Sequence, residues 1–299
     1  MAMGATLFYR RLASPLHATR ATVAAMWACA LIAATLLSES PLVLGLLVLA
    51  VLGAGVGAEL GRELARTLRT VLIVAMPIML VNGLVYHEGL TVFARLGDLG
   101  PFGQGDLTVE ALVYGAVIAL KVGLLMLITT LASLAIDPDE LLAVFRRHSF
   151  RSALTASLAT RMIGVLSADS QRLAEAQRTR PGGSATGARA RVRLLSAIVG
   201  SSLDRSMDVA ATLELRGFAA APGTRGHAQG RPFSRHDRAF ALSAVCVFAL
   251  ALVGRLAAAA PFDAYPLLSM PLSLATFALC LLLAVAVLLP FADHRGIEL

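Results

Sequence analysis

A single lysine, Lys121, stands among the 26 basic residues of this 299-residue chain, and the other 25 are arginine. A phosphate-cradling Walker A loop needs Gly-Lys-Ser/Thr after an earlier glycine, whereas Lys121 is followed by Val122. The chain has no such loop, so any nucleotide hydrolysis that drives it belongs to another chain. The six histidines (His17, His87, His148, His227, His236 and His294) show no His-x-x-x-His spacing. Cys29, Cys246 and Cys280 each lie inside an apolar run. Neither set has the spacing of a metal site; no bound metal and no cofactor are expected, and the cysteines read as small buried hydrophobes.

Two other residues carry a more specific signal. Arg180 precedes Pro181, and Arg216 precedes Gly217. Each follows a long segment with apolar residues at helical spacing. Phe150, Leu154, Leu158, Met162 and Leu166 recur every four residues in the first; Leu195, Val199, Leu203, Met207, Ala210 and Leu213 line one side of the second. The pattern predicts helices from about 150 to 180 and from about 188 to 215, closed by Pro181-Gly182-Gly183-Ser184 and by Gly217. A guanidinium on a last turn complements the helix dipole and projects a fork of donors past the helix end. That fits a stabilising charge, and it equally fits a plug for an acidic or carbonyl-lined groove on a partner.

The elements that must hold these helices are membrane spans. Of all residues 57% are hydrophobic and 15% charged, with mean hydropathy +0.75; soluble domains carry about 25% charged residues. Apolar runs lie at about 21–38, 41–60, 70–86, 111–135, 239–257 and 267–290. Each approaches the roughly 17 to 25 residues that cross a bilayer. Tyr9-Arg10-Arg11-Leu12 before the first run resembles a twin-arginine export signal, but a second run starts after only Ser38-Glu39-Ser40. A tight antiparallel membrane hairpin is the expectation there.

The expected fold is all-α and polytopic, with about six transmembrane helices. Residues 1–136 form an N-terminal membrane region of four spans, 137–238 a cytoplasmic insert of two to three helices, and 239–299 a C-terminal membrane hairpin. Within the insert, Asp137-Pro138-Asp139-Glu140 supplies a cap, a proline at the first helical position and a following glutamate, predicting a helix to about His148. Between residues 146 and 238, sixteen arginines against six acids give a local +10, while the whole chain carries +7. With both termini cytoplasmic, 23 arginines fall inside and only Arg95 and Arg255 outside. The positive-inside rule then keeps both termini and the insert on the cytoplasmic side, with the arginines against anionic inner-leaflet lipids.

Glu175-Ala176-Gln177-Arg178-Thr179-Arg180 and Ala211-Thr212-Leu213-Glu214-Leu215-Arg216-Gly217-Phe218 resemble the two arginine signatures of the T component of energy-coupling factor transporters, the family that includes CbiQ. The resemblance extends through Asp137-Pro138-Asp139-Glu140-Leu141 and Ala159-Thr160-Arg161-Met162-Ile163, and loosely over nearly all the chain. Two departures stand out: Thr179-Arg180-Pro181 and Leu215-Arg216-Gly217 replace Ala-Arg-Gly triplets, and Gly164 stands where many members have proline. The resemblance implies a non-catalytic subunit of an ATP-driven importer of vitamins or transition-metal ions. Its partners would be two cytoplasmic ATPase subunits, which bind ATP and Mg, and a small membrane subunit that binds the substrate. Arg180 and Arg216, flanked by Arg178, Glu214 and Gly217, would dock on the ATPases. Leu158, Met162, Leu203 and Met207 would belong to the surface that slides against the substrate-binding subunit.

Other functions fit less well. A stand-alone secondary transporter or channel with a regulatory insert would make use of Lys121, whose ammonium costs about 2.5 to 3.5 kcal/mol near the middle of a span. No acid lies in the same apolar run, and snorkelling or a bundle-facing role accounts for the lysine. Nucleic-acid binding is not expected, because the insert carries only Phe145, Phe150, Phe218 and Phe233 for stacking. A membrane enzyme would need more than the carboxylates and one histidine of the outer loop from His87 to Asp106, which reads instead as a lid or contact surface.

Overall fold

The structure is a computed structural model and describes residues 14–85, 92–98, 104–138, 140–141, 150–179, 188–215, 233–262 and 273–293. Among these, the helices in chain order are α1 (Ala21–Leu37), α2 (Pro41–Gly57), α3 (Gly61–Val85), α4 (Val109–Ala135), α5 (Phe150–Thr179), α6 (Ala188–Leu215), α7 (Arg235–Leu256) and α8 (Leu274–Leu288). A 3₁₀ turn, Leu289–Ala292, extends α8. The chain falls into two compact units: residues 1–138 with 232–299, and residues 139–231.

The first unit carries all six apolar helices, and the fold is that of an all-α polytopic membrane protein. Among the described residues, four stretches are long and apolar enough to cross a bilayer: Gly61–Gly83, Val109–Ala135, Arg235–Leu256 and Leu274–Ala292. The 17-residue helices α1 and α2 are shorter apolar helices. At 1.5 Å per residue they rise about 25 Å. One departure from pure helix is a two-stranded antiparallel hairpin, β1 (Val92–Asp98) with β2 (Gln104–Thr108), in the loop expected to be a lid. Its ladder pairs Val92 with Thr108 and Arg95 with Asp106 and is interrupted by two register shifts. The short Thr-Val-Phe run and the glycines between the strands favour a hairpin locally, yet neither strand is long enough to stand out beside apolar spans.

Two boundaries, one pairing and the burial of two cysteines differ from the expectations. Helix α3 starts at Gly61 rather than near 70, so Arg62, Arg66 and Arg69 ride exposed on its first turns instead of in a loop. Polar residues continue that helix without a break because no proline or cap interrupts them. Helix α7 starts at Arg235, inside the stretch assigned to the insert, because Ser234 and Asp237 form a reciprocal capping box. The chain connects α1 to α2 in three residues as expected, but the two do not pack along each other: α1 lies on α7 and α4, and α2 lies on α4 and α8. Cys29 and Cys246 are exposed and face out of the bundle, whereas Cys280 is half-buried and packs against its core. An outward cysteine in a lipid-facing position remains an apolar side chain in an apolar medium.

Close helix contact is set by small residues. Gly115, Ala119 and Gly123 repeat every fourth residue along α4. A Cβ on Gly115 would meet the Met79 backbone at 3.1 Å, and one on Gly123 would meet Cγ1 of Val71 at 2.5 Å, so α3 lies directly against this stripe. Small residues spaced by four let helix backbones approach where lipid supplies no hydrophobic drive. At the centre, Trp27, Phe240 and Phe291 pack edge to face with centroids 5.1 to 5.8 Å apart. Trp27 donates its indole N–H to Ser243 Oγ at 3.0 Å, and Ser243 donates to the Ala286 carbonyl at 2.6 Å. One buried hydrogen-bond chain thus ties α1, α7 and α8, where an unpaired indole or hydroxyl would be costly.

Candidate functional site

The second unit supplies the helices that carry the arginine signatures. Helix α5 ends at Thr179 and α6 at Leu215, each one residue before its signature arginine. Arg180, Arg216 and Gly217 lie outside the described residues. Arg178 is in the last turn of α5, and Glu214 is exposed in the last turn of α6. Thr179 donates its hydroxyl to the Ala176 carbonyl at 3.0 Å, and Thr212 to that of Val209 at 2.8 Å. These hydroxyls are thereby spent within their own helices.

The two helices are joined by an ion pair that sequence reasoning missed. Asp169 on α5 meets Arg205 on α6 at 3.4 Å and Arg172 on its own helix at 3.9 Å. Only the Asp169/Arg172 spacing of three was readable; a pairing across 36 positions has no local signal. Asp169 stands ten residues before Thr179, and Arg205 ten before Leu215. The bridge therefore lies about 15 Å of helix from both signature ends. The apolar stripes are accessible on either side of it. Leu158 and Met162 are half-buried, while Leu203 and Met207 are 64% and 69% exposed. Val192, Leu195 and Val199 continue the open stripe of α6. A run of exposed apolar side chains on one helix face marks an interaction surface. The helix predicted to start at Asp137 is described only at Pro138, Glu140 and Leu141, which are helical; its remainder to His148 lies outside the described residues.

The sequence matches the family model described as CbiQ, cobalt transport protein, over residues 13–226. The chain belongs to the CbiQ family. It is a membrane component of a transporter, and the match runs from the first span through both signature segments. No curated protein matches the sequence.

Two further features of this CbiQ-family chain sit where the membrane unit gives way to polar surroundings. Asp237 is 1% exposed: its Oδ1 accepts from the Arg20 N–H and its Oδ2 from the Ser234 N–H, both at 2.8 Å. One carboxylate therefore closes the N-termini of both α1 and α7, where its charge also complements two helix dipoles. The Arg20 guanidinium stacks on Phe233 at 4.7 Å, with Nε 3.7 Å from Asp237. His17, just ahead of α1, shares a 2.6 Å hydrogen bond with Ser14 Oγ. Burial holds its imidazole below the usual histidine range, while the Leu134 carbonyl and the Glu59 carboxylate pull partly the other way. Among the described residues no group of three His, Cys, Asp or Glu side chains converges on a metal-sized space.

Proposed function

We propose that this CbiQ-family chain is the energy-coupling subunit of an ATP-driven importer, passing motion from two cytoplasmic ATPase subunits to a separate membrane subunit that binds the cargo. The observation that carries this reading is the family match across 13–226, which takes in both helices whose next residues are Arg180 and Arg216. The sole lysine, Lys121, supports it from the other side, since a chain without a Walker A loop needs its nucleotide bound elsewhere. The family's description makes a transition-metal ion, cobalt first, the cargo to test.

In this reading Arg180 and Arg216 dock in grooves on the two ATPases, aided by Arg178, Glu214 and the turn at Gly217. Closure of the ATPase pair on ATP and Mg draws the signature ends together. The stripes through Leu158, Met162, Leu203 and Met207 carry that movement to the cargo-binding subunit. Both termini face the cytoplasm of a bacterial cell, and the arginine-rich insert lies against the anionic inner leaflet, as the charge asymmetry supports.

The test is ATP-driven uptake of radioactive cobalt in proteoliposomes containing the chain, two ATPases and the membrane subunit. Replacing both Arg180 and Arg216 by alanine abolishes uptake while the chain stays in the membrane. Uptake at the normal rate by the double variant overturns the docking roles.

A further inference from the structure

Lys121 is the thirteenth residue of the 27-residue α4 and so stands at the middle of the span. That helix rises about 40 Å and overshoots a hydrocarbon core of about 30 Å at both ends. With both ends clear of the hydrocarbon, its midpoint lies within about 5 Å of the bilayer centre. The nearer end of the helix is twelve residues, or about 18 Å, away, farther than a snorkelling lysine reaches. The nearest acid on α4 is Glu110, eleven residues along. None of the ion pairs among the described residues includes Lys121.

The surroundings of this lysine indicate from which side a counter-charge comes. Val117, one turn before it, is 7% exposed, and Ile128, two turns after, is 1% exposed; both belong to the buried core, on the side of α4 opposite the stripe that meets α3. On the other side of the lysine, Ile118 and Leu125 are half-buried and Thr129 is exposed. Lys121 itself is half-buried, at the seam between the covered face and the open one. An ammonium at mid-depth is met by a carboxylate, a backbone carbonyl or water, and the carbonyls around Lys121 are engaged within α4 itself. Lipid headgroups lie too far away to supply a counter-charge.

We infer that Lys121 is an intramembrane docking residue, and that its counter-charge is an Asp or Glu carboxylate on a membrane-spanning helix of a partner subunit lying along the Ile118/Leu125/Thr129 face of α4. This inference rests on the reading that the chain assembles with a separate membrane subunit. It adds a contact inside the bilayer, remote in sequence from the signature helices.

The experiment uses the whole complex: tagged chain, two ATPases and a small cargo-binding membrane subunit, co-expressed and purified in mild detergent. The readout is the ratio of membrane subunit to ATPase. Lys121→Met and Lys121→Glu lower that ratio at least tenfold and leave the ATPase yield unchanged, which reports on folding. Lys121→Arg retains the membrane subunit. Lys121→Glu is rescued when one intramembrane acid of that subunit is changed to lysine. A wild-type ratio with Lys121→Met overturns the inference, as does rescue by none of the partner's acids. A wild-type chain that recovers neither ATPase nor membrane subunit instead overturns the assembly reading on which it rests.

Discussion

Asp237 gives the sharpest quantitative test of how the membrane unit is held. Its two oxygens each accept one backbone N–H, from Arg20 and from Ser234, and it is buried. Hydrogen bonds to a charged acceptor contribute about 1.5 to 3 kcal/mol each. Asp237→Ala leaves both donors without their acceptor, so the expected loss is about 3 to 6 kcal/mol. Asp237→Asn keeps the shape and one acceptor but turns an amide NH₂ towards the second N–H, so about half of that loss remains, on the order of 1.5 to 3 kcal/mol. Ser234→Ala removes only the ordinary cap, worth about 1 kcal/mol. The assay is denaturant unfolding in detergent micelles followed by Trp27 fluorescence. Trp27 is the only tryptophan, it is 2% exposed, and it belongs to α1, one of the two helices that Asp237 joins. The order of stability is wild type, Ser234→Ala, Asp237→Asn, Asp237→Ala, and it persists at about 1 M salt, where only exposed pairs are screened. Asp237→Asn within about 0.5 kcal/mol of wild type, smaller than any single charged hydrogen bond, refutes the double cap.

The remaining expectations concern other parts of the fold. Because His17 is held below its ordinary range by burial, the unfolded chain binds a proton more readily. Stability is therefore full above about pH 6.5 and falls as pH drops from there towards the lowered native value; a pH series of unfolding midpoints shows this slope, and His17→Asn removes it. Ala258 closes α7 at φ 47°, and Ala258→Gly relieves about 1 kcal/mol of left-handed strain net of the freer unfolded chain, read as a raised unfolding midpoint. Gly123→Leu drives a side chain into Val71 and costs about 1 to 3 kcal/mol by overpacking, seen in the same unfolding assay. Asp169 and Arg205 are 20% and 42% exposed; a double-mutant cycle on their charges gives a coupling of only about 0.5 kcal/mol, and a value several times larger refutes the reading of a solvent-screened bridge.

Long-period features were legible in the sequence, and contacts between distant residues were not. The stripes from Phe150 to Leu166 and from Leu195 to Leu213 anticipated α5 and α6, because a spacing of four and a Pro-Gly or glycine stop are local statements. The apolar runs located all six apolar helices for the same reason. Hydropathy alone missed the true start of α3, since a helix continues past the apolar stretch wherever no breaker stands. It also missed the capping box at Ser234, where local polarity looked like loop. The pairing of α1 with α7 depends on the Trp27/Ser243 and Arg20/Asp237 contacts, each spanning more than 200 residues. The short α1–α2 connection suggested a packed pair because loop length is local, whereas packing partners are chosen by which faces fit.

The position of the Asp169/Arg205 bridge limits how the proposed coupling can work. Helix α5 runs nineteen residues from Phe150 to Asp169, and α6 runs seventeen from Ala188 to Arg205. The arms on the far side of the bridge are thus about 28 and 25 Å long, against about 15 Å on the signature side. If the proposed coupling turns the two helices about that contact, the far arms sweep nearly twice the arc of the signature ends. Val192, Leu195 and Val199 lie on the long arm of α6, with Leu158 and Met162 on that of α5, whereas Leu203 and Met207 flank the bridge within about 3 Å of helix and would move least. A weak, screened pair suits a pivot, because a contact that must turn cannot also be a deep well. Replacing Asp169 and Arg205 with a rigid apolar contact would therefore leave assembly intact and slow ATP-driven uptake, whereas removing Arg180 and Arg216 would uncouple it altogether.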